Sequence, residues 1–406
     1  KNERNLHITR DIIIYYFKVD FVKMIYFDNA ATSRFKPKKA IKALVYDTVH
    51  SANSGRSGHD DAIYAMVNNE KTRRLLLKIY GAESGYNVVF TKNCTEAINL
   101  AVFGCLNPSK KIVTTVNDHN AMLRPLFNLK SKGASLSVVN PSDNLSINPK
   151  HVLRLSYDAD FIGMNLASNV TGAVSDVEEV GKKKSDKTIL LVDGAQGSPF
   201  YQIDMTKYNI DMLAMPAHKS LHGIQGVGFL IFKDTLKISP LVYGGTGTSS
   251  DSVYQPLYAP EGFEAGTQFS AGIHALYEGA KWSIENLENS KRKVLKLSEK
   301  LMYALGSLGL INYSVNPQLG IFSFKDADIP PTVMADELNT LGFATRSGLH
   351  CAPLIHNYLG TLESGLVRVS IGADNTEKEI NALISALEKI MIKKKEILNG
   401  WSFKKL

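Results

Sequence analysis

Apolar residues along the chain fall into two recurring patterns. Short uninterrupted runs, such as Ile189-Leu190-Leu191-Val192 and Phe161-Ile162-Gly163-Met164, stop abruptly at a polar residue. Short runs without alternation mark strands buried on both faces. Strands are predicted after Ile25, at Asn87–Thr91, Lys111–Val116, Phe161–Asn165, Ile189–Val192, Asp211–Met215 and Gly226–Phe232. Helical periodicity covers Ala40–Val49, Ala62–Tyr80 and Ala97–Val102 and resumes from Ile273. This alternation predicts an α/β fold with a mainly parallel sheet covered on both faces. A long, highly charged helical stretch over Ile284–Lys300 marks a change of pattern. Beyond it, strands at Gly320–Phe324 and Leu366–Ile371 precede a helix at Glu377–Ile397. The expected organisation is a large unit over 24–285, its first residues packing on a smaller C-terminal α+β unit over 286–406. Residues 1–23 are expected to lie outside the main fold as an extension.

In open α/β sheets, ligands bind beyond the carboxyl ends of the strands. Asp193 ends one apolar run, and the next breaks at Pro216 and delivers His218-Lys219 into a loop. A lysine and a carboxylate at two such ends suit pyridoxal phosphate. The amine holds the aldehyde covalently and the carboxylate keeps the pyridine nitrogen protonated. A capped strand followed by a surface lysine has the same local pattern, so the neighbouring segments decide. The turn Lys92–Glu96, with Thr95 placed to cap the helix that follows, is an anion site or an ordinary helix start. His119 follows a strand, where it can stack on a planar ring or satisfy a local hydrogen bond. Asn169 sits in another polar turn at a strand end. The Gly-rich stretch Gly244–Ser252 lacks the strand and helix flanks and the lysine of a nucleotide loop.

Gly and Pro mark Ala344–Pro353 as a loop, with Arg346 and His350 flanking Cys351. Nearby positive charge favours a thiolate, although a lone cysteine is more often a buried structural one. Arg368, in an otherwise apolar strand, wants a carboxylate partner and suits a bidentate clamp on a substrate carboxylate.

Composition narrows the classes. The chain is 44% hydrophobic and 21% charged, as ordinary globular proteins are. Its net charge of +8 is partly local to Lys393–Lys395 and Lys404-Lys405. No basic stripe with interleaved aromatics occurs, so no nucleic-acid partner is expected. No apolar run reaches the roughly 18 residues of a membrane span, so no membrane association is expected. Three cysteines without paired spacing form neither a disulfide framework nor a zinc pattern. No metal is expected, and a reducing, cytoplasmic setting is.

Taken in order, the motifs YFDNAAT (Tyr26–Thr32), SGRSGH (Ser54–His59), TEAINLA (Thr95–Ala101), SNVTG (Ser168–Gly172), VDGAQ (Val192–Gln196), His218-Lys219, FEAGT (Phe263–Thr267) and RSGLHCAP (Arg346–Pro353) resemble those of the cysteine desulfurases. These belong to the class V aminotransferase superfamily, with the fold-type I architecture of pyridoxal phosphate enzymes. The resemblance spans Met24 to about Ile390.

It implies that Lys219 holds the cofactor and moves protons, that Asp193 pairs with the pyridine nitrogen, and that His119 stacks on the ring and assists proton transfer. Asn169 and Gln196 would contact the ring oxygen. Cys94, Thr95 and His218 would hold the phosphate, joined by Thr267 from a second subunit, so a homodimer with its site at the interface is expected. Arg368 would bind the substrate carboxylate in a pocket that includes Asn29, Ala30 and Arg346. Cys351 would take sulfur from L-cysteine as a persulfide, release alanine and pass the sulfur to an acceptor protein or thiol. A selenocysteine lyase acting on L-selenocysteine, a class V aminotransferase and a non-catalytic binding module are the alternatives. The chain departs from the family's pattern at Pro216, where many members carry a serine that contacts the phosphate, so one hydroxyl contact is lost unless Ser220 or the Gly-rich loop replaces it. It also departs at Cys94, where threonine or alanine is usual, and at Gln268, where proline is.

Overall fold

The computed structural model describes residues 24–50, 52–54 and 58–402 of the 406-residue chain, with side chains through residue 396. The expected extension over 1–23, residues 55–57 of the SGRSGH motif and Lys404-Lys405 lie outside the described residues.

In chain order the elements are β1 (Ile25–Tyr26), α1 (Lys38–His50), α2 (Asp60–Ile79), β2 (Tyr86–Thr91), α3 (Cys94–Cys105), β3 (Lys111–Thr115), α4 (Asn120–Ser131) and β4 (Ser135–Val139). Then come α5 (Pro149–Leu155), β5 (Phe161–Asn165), α6 (Val177–Lys183), β6 (Ile189–Asp193), β7 (Met212–Pro216), β8 (Gly228–Lys233) and α7 (Ser270–Glu285). The C-terminal part holds α8 (Leu287–Ser307), β9 (Ile311–Asn312), β10 (Ile321–Lys325), α9 (Pro331–Thr340), β11 (Phe343–Ala344), β12 (Arg346–Gly348), α10 (Pro353–Tyr358), β13 (Leu366–Ser370) and α11 (Glu377–Ser402).

A seven-stranded sheet in the order β2-β8-β7-β6-β5-β3-β4 forms the centre. Its pairs are parallel except those of β8, which runs antiparallel to both β2 and β7. Alternate residues of the apolar runs enter two different cores. Leu190, Val192, Leu213 and Met215 belong to one, and Leu191, Met212 and Ala214 to the other. A strand that feeds a core on each face has no solvent side, which is why these runs do not alternate.

A second, four-stranded antiparallel sheet has the order β12-β13-β10-β9. It shares a core with α8 and α11 through Phe322, Val367, Leu301 and Leu383. Phe27 from the N-terminal segment is fully buried in this same core. Backbone pairing fixes it there: β1 runs parallel to β11, and Asp28 bridges to Ser370.

The structure adds elements that the sequence pattern did not show. Strand β4 is a half-exposed edge strand of alternating serine and apolar residues. Helices α5 and α6 are single short stretches whose signals are their caps, Asn148 before Pro149 and Asp176 accepting from Glu179 N. At α3 the cap is Asn93 rather than Thr95: Glu96 N donates to Asn93 Oδ1 at 2.9 Å. Part of the expected loop at Ala344–Pro353 is the edge strand β12.

Candidate active site

Strand ends of the seven-stranded sheet converge as their position dictates. The turn before α3 sits flush on β8 because Gly228 has no side chain: a Cβ there would lie 2.4 Å from the Asn93 carbonyl carbon. Cys94 and Thr95 open α3 with their amides free at the positive end of the helix. His119 caps α4, its Nδ1 accepting from Ala121 N at 3.0 Å. An accepting Nδ1 places the proton of the neutral ring on Nε2. Asp118, one residue earlier, takes hydrogen bonds from Thr114, Thr115 and Asn165 N and so ties β3 to β5.

Asp193 ends β6 with Oδ1 accepting from Ala195 N at 3.0 Å and from the Cys94 thiol at 3.6 Å. Lys219 follows β7 by three residues and opens a tight turn closed by His222 N on Lys219 O at 2.9 Å. From the other sheet comes Arg368, 2% exposed, with Arg346 directly opposite it in the β12–β13 register. The Cys351 loop follows β12. His350 and Cys351 both take left-handed backbone angles, φ 48° and 58°, that non-glycine residues rarely adopt. Two hydrogen bonds fasten this loop: Asn169 Nδ2 to His350 O and Asn120 N to Cys351 O, each 2.7 Å. The thiol itself is exposed.

One cavity of about 220 Å³ is lined by Ala30, Cys94, Thr95, His119, Asn169, Asp193, Gln196, His218, Lys219, Arg346, Cys351 and Arg368. Most of the residues singled out in the sequence thus share one space. Asn29 lines a smaller adjoining cavity, where its amide bonds Ser370 O and Asn375 Oδ1. Thr267 is the candidate that a single chain does not bring near: it is exposed on a separate cavity with Glu264 and Gln268. Neither possible replacement for the serine missing at Pro216 lines this cavity: Ser220 faces the adjoining one, and the Gly-rich stretch from Gly244 lines a space of its own.

Burial sets the charge states. It lowers the Lys219 ammonium, helped by Arg368 and Arg346 and opposed by Asp193. Burial and then Lys219 bring His119 down to about 4, and the same two causes bring His218 to about 4. Both rings are therefore neutral near pH 7. The Cys94 thiol is pushed well up by burial and by Asp193, so it stays protonated and donates to that carboxylate.

Around the cavity, Asn165 Oδ1, Asn169 Oδ1, His218 Nδ1 and Arg368 Nε are buried without a hydrogen-bond partner. Buried polar atoms are normally satisfied, so their convergence on one space marks a place for a polar ligand. A deep carboxylate, a depressed lysine, a neutral histidine and a helix N-terminus with His218 fit pyridoxal phosphate group by group. The described residues hold no cluster of His, Cys, Asp and Glu suited to a metal ion.

Sequence reasoning missed two residues here. Asp28 holds Arg368 Nη2 at 2.9 Å, while Arg368 Nη1 donates to Asn169 O at 3.2 Å, so part of the expected clamp is already engaged. Its signal was present in YFDNAAT beside the demand of a buried arginine for a carboxylate. Asp118 was visible only as the polar residue before His119.

Residues 25–383 match the sequence model of the aminotransferase class-V family. A probable cysteine desulfurase of Pyrococcus abyssi is 30% identical over 383 residues, 91% of this chain and 94% of that protein. One from Borreliella burgdorferi is 29% identical over 96% of this chain and 97% of that protein. Among solved structures, a cysteine desulfurase from Thermococcus onnurineus superimposes with a TM-score of 0.84 at 29% identity, covering 91% of this chain and 95% of that one. A cysteine desulfurase from Escherichia coli superimposes at 0.80 with 26% identity over the same shares.

Proposed function

Because the chain belongs to the class-V aminotransferase family, we propose that it is a pyridoxal phosphate-dependent cysteine desulfurase that moves sulfur from L-cysteine to Cys351 and releases L-alanine. The observation that carries this reading is Cys351 itself, an exposed thiol on a strained loop that lines the same cavity as Asp193 and Lys219. An aminotransferase needs no thiol at that place.

Pyridoxal phosphate, when bound, supplies the electron sink for a carbanion next to the substrate nitrogen. Lys219 would hold its aldehyde, and once released its amine, kept largely uncharged by burial, would take the proton from the substrate Cα and return one. Asp193, oriented by Cys94 and Ala195 N, would keep the pyridine nitrogen protonated, and neutral His119 would lie against the ring. Asn169 and Gln196 would contact the ring oxygen. The first turn of α3 with Thr95 and His218 holds the phosphate, joined by Thr267 of a second copy in a homodimer. Arg368 and Arg346 take the substrate carboxylate, with Ala30 and Asn29 along that pocket.

The Cys351 thiolate then attacks the substrate sulfur. An S–S bond forms, the C–S bond breaks with its electron pair left on carbon, and a proton completes alanine. No outside oxidant or reductant is needed, since the substrate carbon keeps the electron pair that the sulfur gives up on becoming the outer sulfur of the Cys351 persulfide. Exposure of Cys351 lets an acceptor protein or thiol collect it. Three free cysteines suit a reducing compartment, the cytoplasm. No helix among the described residues is long and apolar enough to cross a membrane.

Incubation of the cofactor-loaded protein with L-cysteine is expected to give alanine and transferable sulfur in equal amounts. A keto acid or glutamate as co-product would overturn the reading in favour of transamination. Turnover confined to L-selenocysteine would make it a lyase.

A further inference from the structure

One carbonyl oxygen near the centre of the site carries an unusual load. His218 O, in the peptide bond that joins His218 to Lys219, lies within hydrogen-bond reach of several donors from one segment. Ser33 N reaches it at 3.0 Å, Ser33 Oγ at 2.9 Å, Lys36 Nζ at 3.0 Å and Thr32 Oγ1 at 3.4 Å. A carbonyl offers two lone pairs, so this oxygen is held from every side it can be. Lys36 Nζ also donates to Ser33 Oγ at 2.8 Å. Both acceptors of the half-buried ammonium are therefore neutral oxygens, not carboxylates. Burial lowers Lys36 to about 8, which leaves it charged at neutral pH.

The segment that supplies these donors is a strap between the two halves of the site. At one end Asp28 pairs with Arg368, and Ala30 N donates to Ser370 Oγ at 2.9 Å. In its middle Ala30 O accepts from Gln196 Nε2 at 2.8 Å. At its far end Ser33 and Lys36 grip the backbone of the lysine loop. The strap thus sets where the Lys219 amine stands relative to the Arg368 guanidinium, and its far anchor is the only charged donor on the His218 oxygen among those named.

We propose that Lys36 is a positioning residue for the reaction: by its charge-assisted bond to the His218 carbonyl it fixes the backbone from which Lys219 enters the cavity. The inference rests on the cofactor reading given above. Bonds with an ionised donor are about twice as strong as neutral ones, so neutralising this position removes the strongest of these bonds and leaves only the neutral donors of Ser33 and Thr32. The ammonium also joins burial and Lys219 in keeping the His218 ring neutral.

The test is a titration of the apoprotein with pyridoxal phosphate, followed by the visible band of the lysine-bound cofactor. Steady-state kinetics with L-cysteine and a thermal midpoint are measured on each variant. Lys36→Met should raise the half-saturating cofactor concentration about tenfold, the scale of one lost bond to a charged group. It should lower kcat with little change in KM. Lys36→Arg should recover to within about threefold. Ser33→Ala combined with Lys36→Met should be non-additive, since both act on one oxygen. Lys36→Met titrating like wild type would overturn the proposal. So would a shift that follows only a lower thermal midpoint and is not relieved by Lys36→Arg. A wild-type protein that develops no band at all would instead overturn the cofactor reading itself.

Discussion

Arg346 and Arg368 stand directly opposite each other on antiparallel strands, two guanidinium groups facing one cavity. Like charges in register destabilise a strand pair. Asp28 offsets one of them at 2.9 Å, and an anionic ligand would offset the other. Arg368→Lys keeps the charge but loses the fork. It is expected to raise KM for L-cysteine by roughly tenfold or more, with cofactor absorbance unchanged. An unchanged KM would remove the carboxylate of the substrate from this pair.

Lys219→Ala should abolish the visible absorbance of the lysine-bound cofactor and cut turnover by roughly a thousandfold or more. Retention of the band in that variant would mean that another amine holds the aldehyde.

The three thiols should differ in reactivity. Burial pushes Cys105 up to about 12 and, with Asp193, raises Cys94 well above the ordinary range. Cys351 is exposed. Limited alkylation near neutral pH should therefore modify Cys351 more than about tenfold faster than the others, read by peptide mass spectrometry. Early labelling of Cys94 would contradict the burial of that thiol against Asp193.

Much of the main sheet was legible in the sequence because β5, β6 and β7 are buried on both faces and read as unbroken apolar runs. The elements that escaped depend on partners distant in sequence. Arg346-Ser347-Gly348 has no strand pattern and is a strand only through its register with β13. The Asp28–Arg368 pair joins residues 340 positions apart, and the grip on His218 O involves a backbone atom that no side-chain pattern reveals. The candidate residues stood out one by one at strand ends, whereas the contacts that orient them did not.

Arg73 and Glu264 make a bidentate pair, both bonds 2.7 Å, with side chains 8% and 4% exposed, and Glu264 also accepts from Phe90 N. Removing Glu264 leaves Arg73 with only the half-exposed Glu70, at 2.9 Å, as a carboxylate partner, and a buried charge that loses a partner costs up to about 3–5 kcal/mol. Glu264→Ala should lower unfolding stability by that amount in urea titrations and loosen the segment leading to Thr267. A loss below about 1 kcal/mol would show that water reaches the pair.

Stability should fall on acidification. His119, His218, His222 and His356 are each brought to about 4, chiefly by burial. Below about 6.5 the unfolded chain binds protons on these rings and the folded chain does not, so stability drops as pH falls toward 4. Asp118, raised to about 7 by burial, acts in the opposite sense, its contribution present in acid and lost as pH rises through 7. Four groups outweigh one, so the unfolding midpoint in urea should decline between neutrality and about pH 4.5. A flat profile would mean that these histidines are hydrated.

The central claim is that Cys351 receives the sulfur. The direct measurement is mass spectrometry of the Cys351 peptide after brief incubation of the cofactor-loaded protein with L-cysteine. The expected result is one added sulfur on Cys351, reversible by a thiol reductant and absent in Cys351→Ser, which keeps its cofactor band but loses alanine production. Alanine released with Cys351 unmodified, or full turnover in Cys351→Ser, would contradict it.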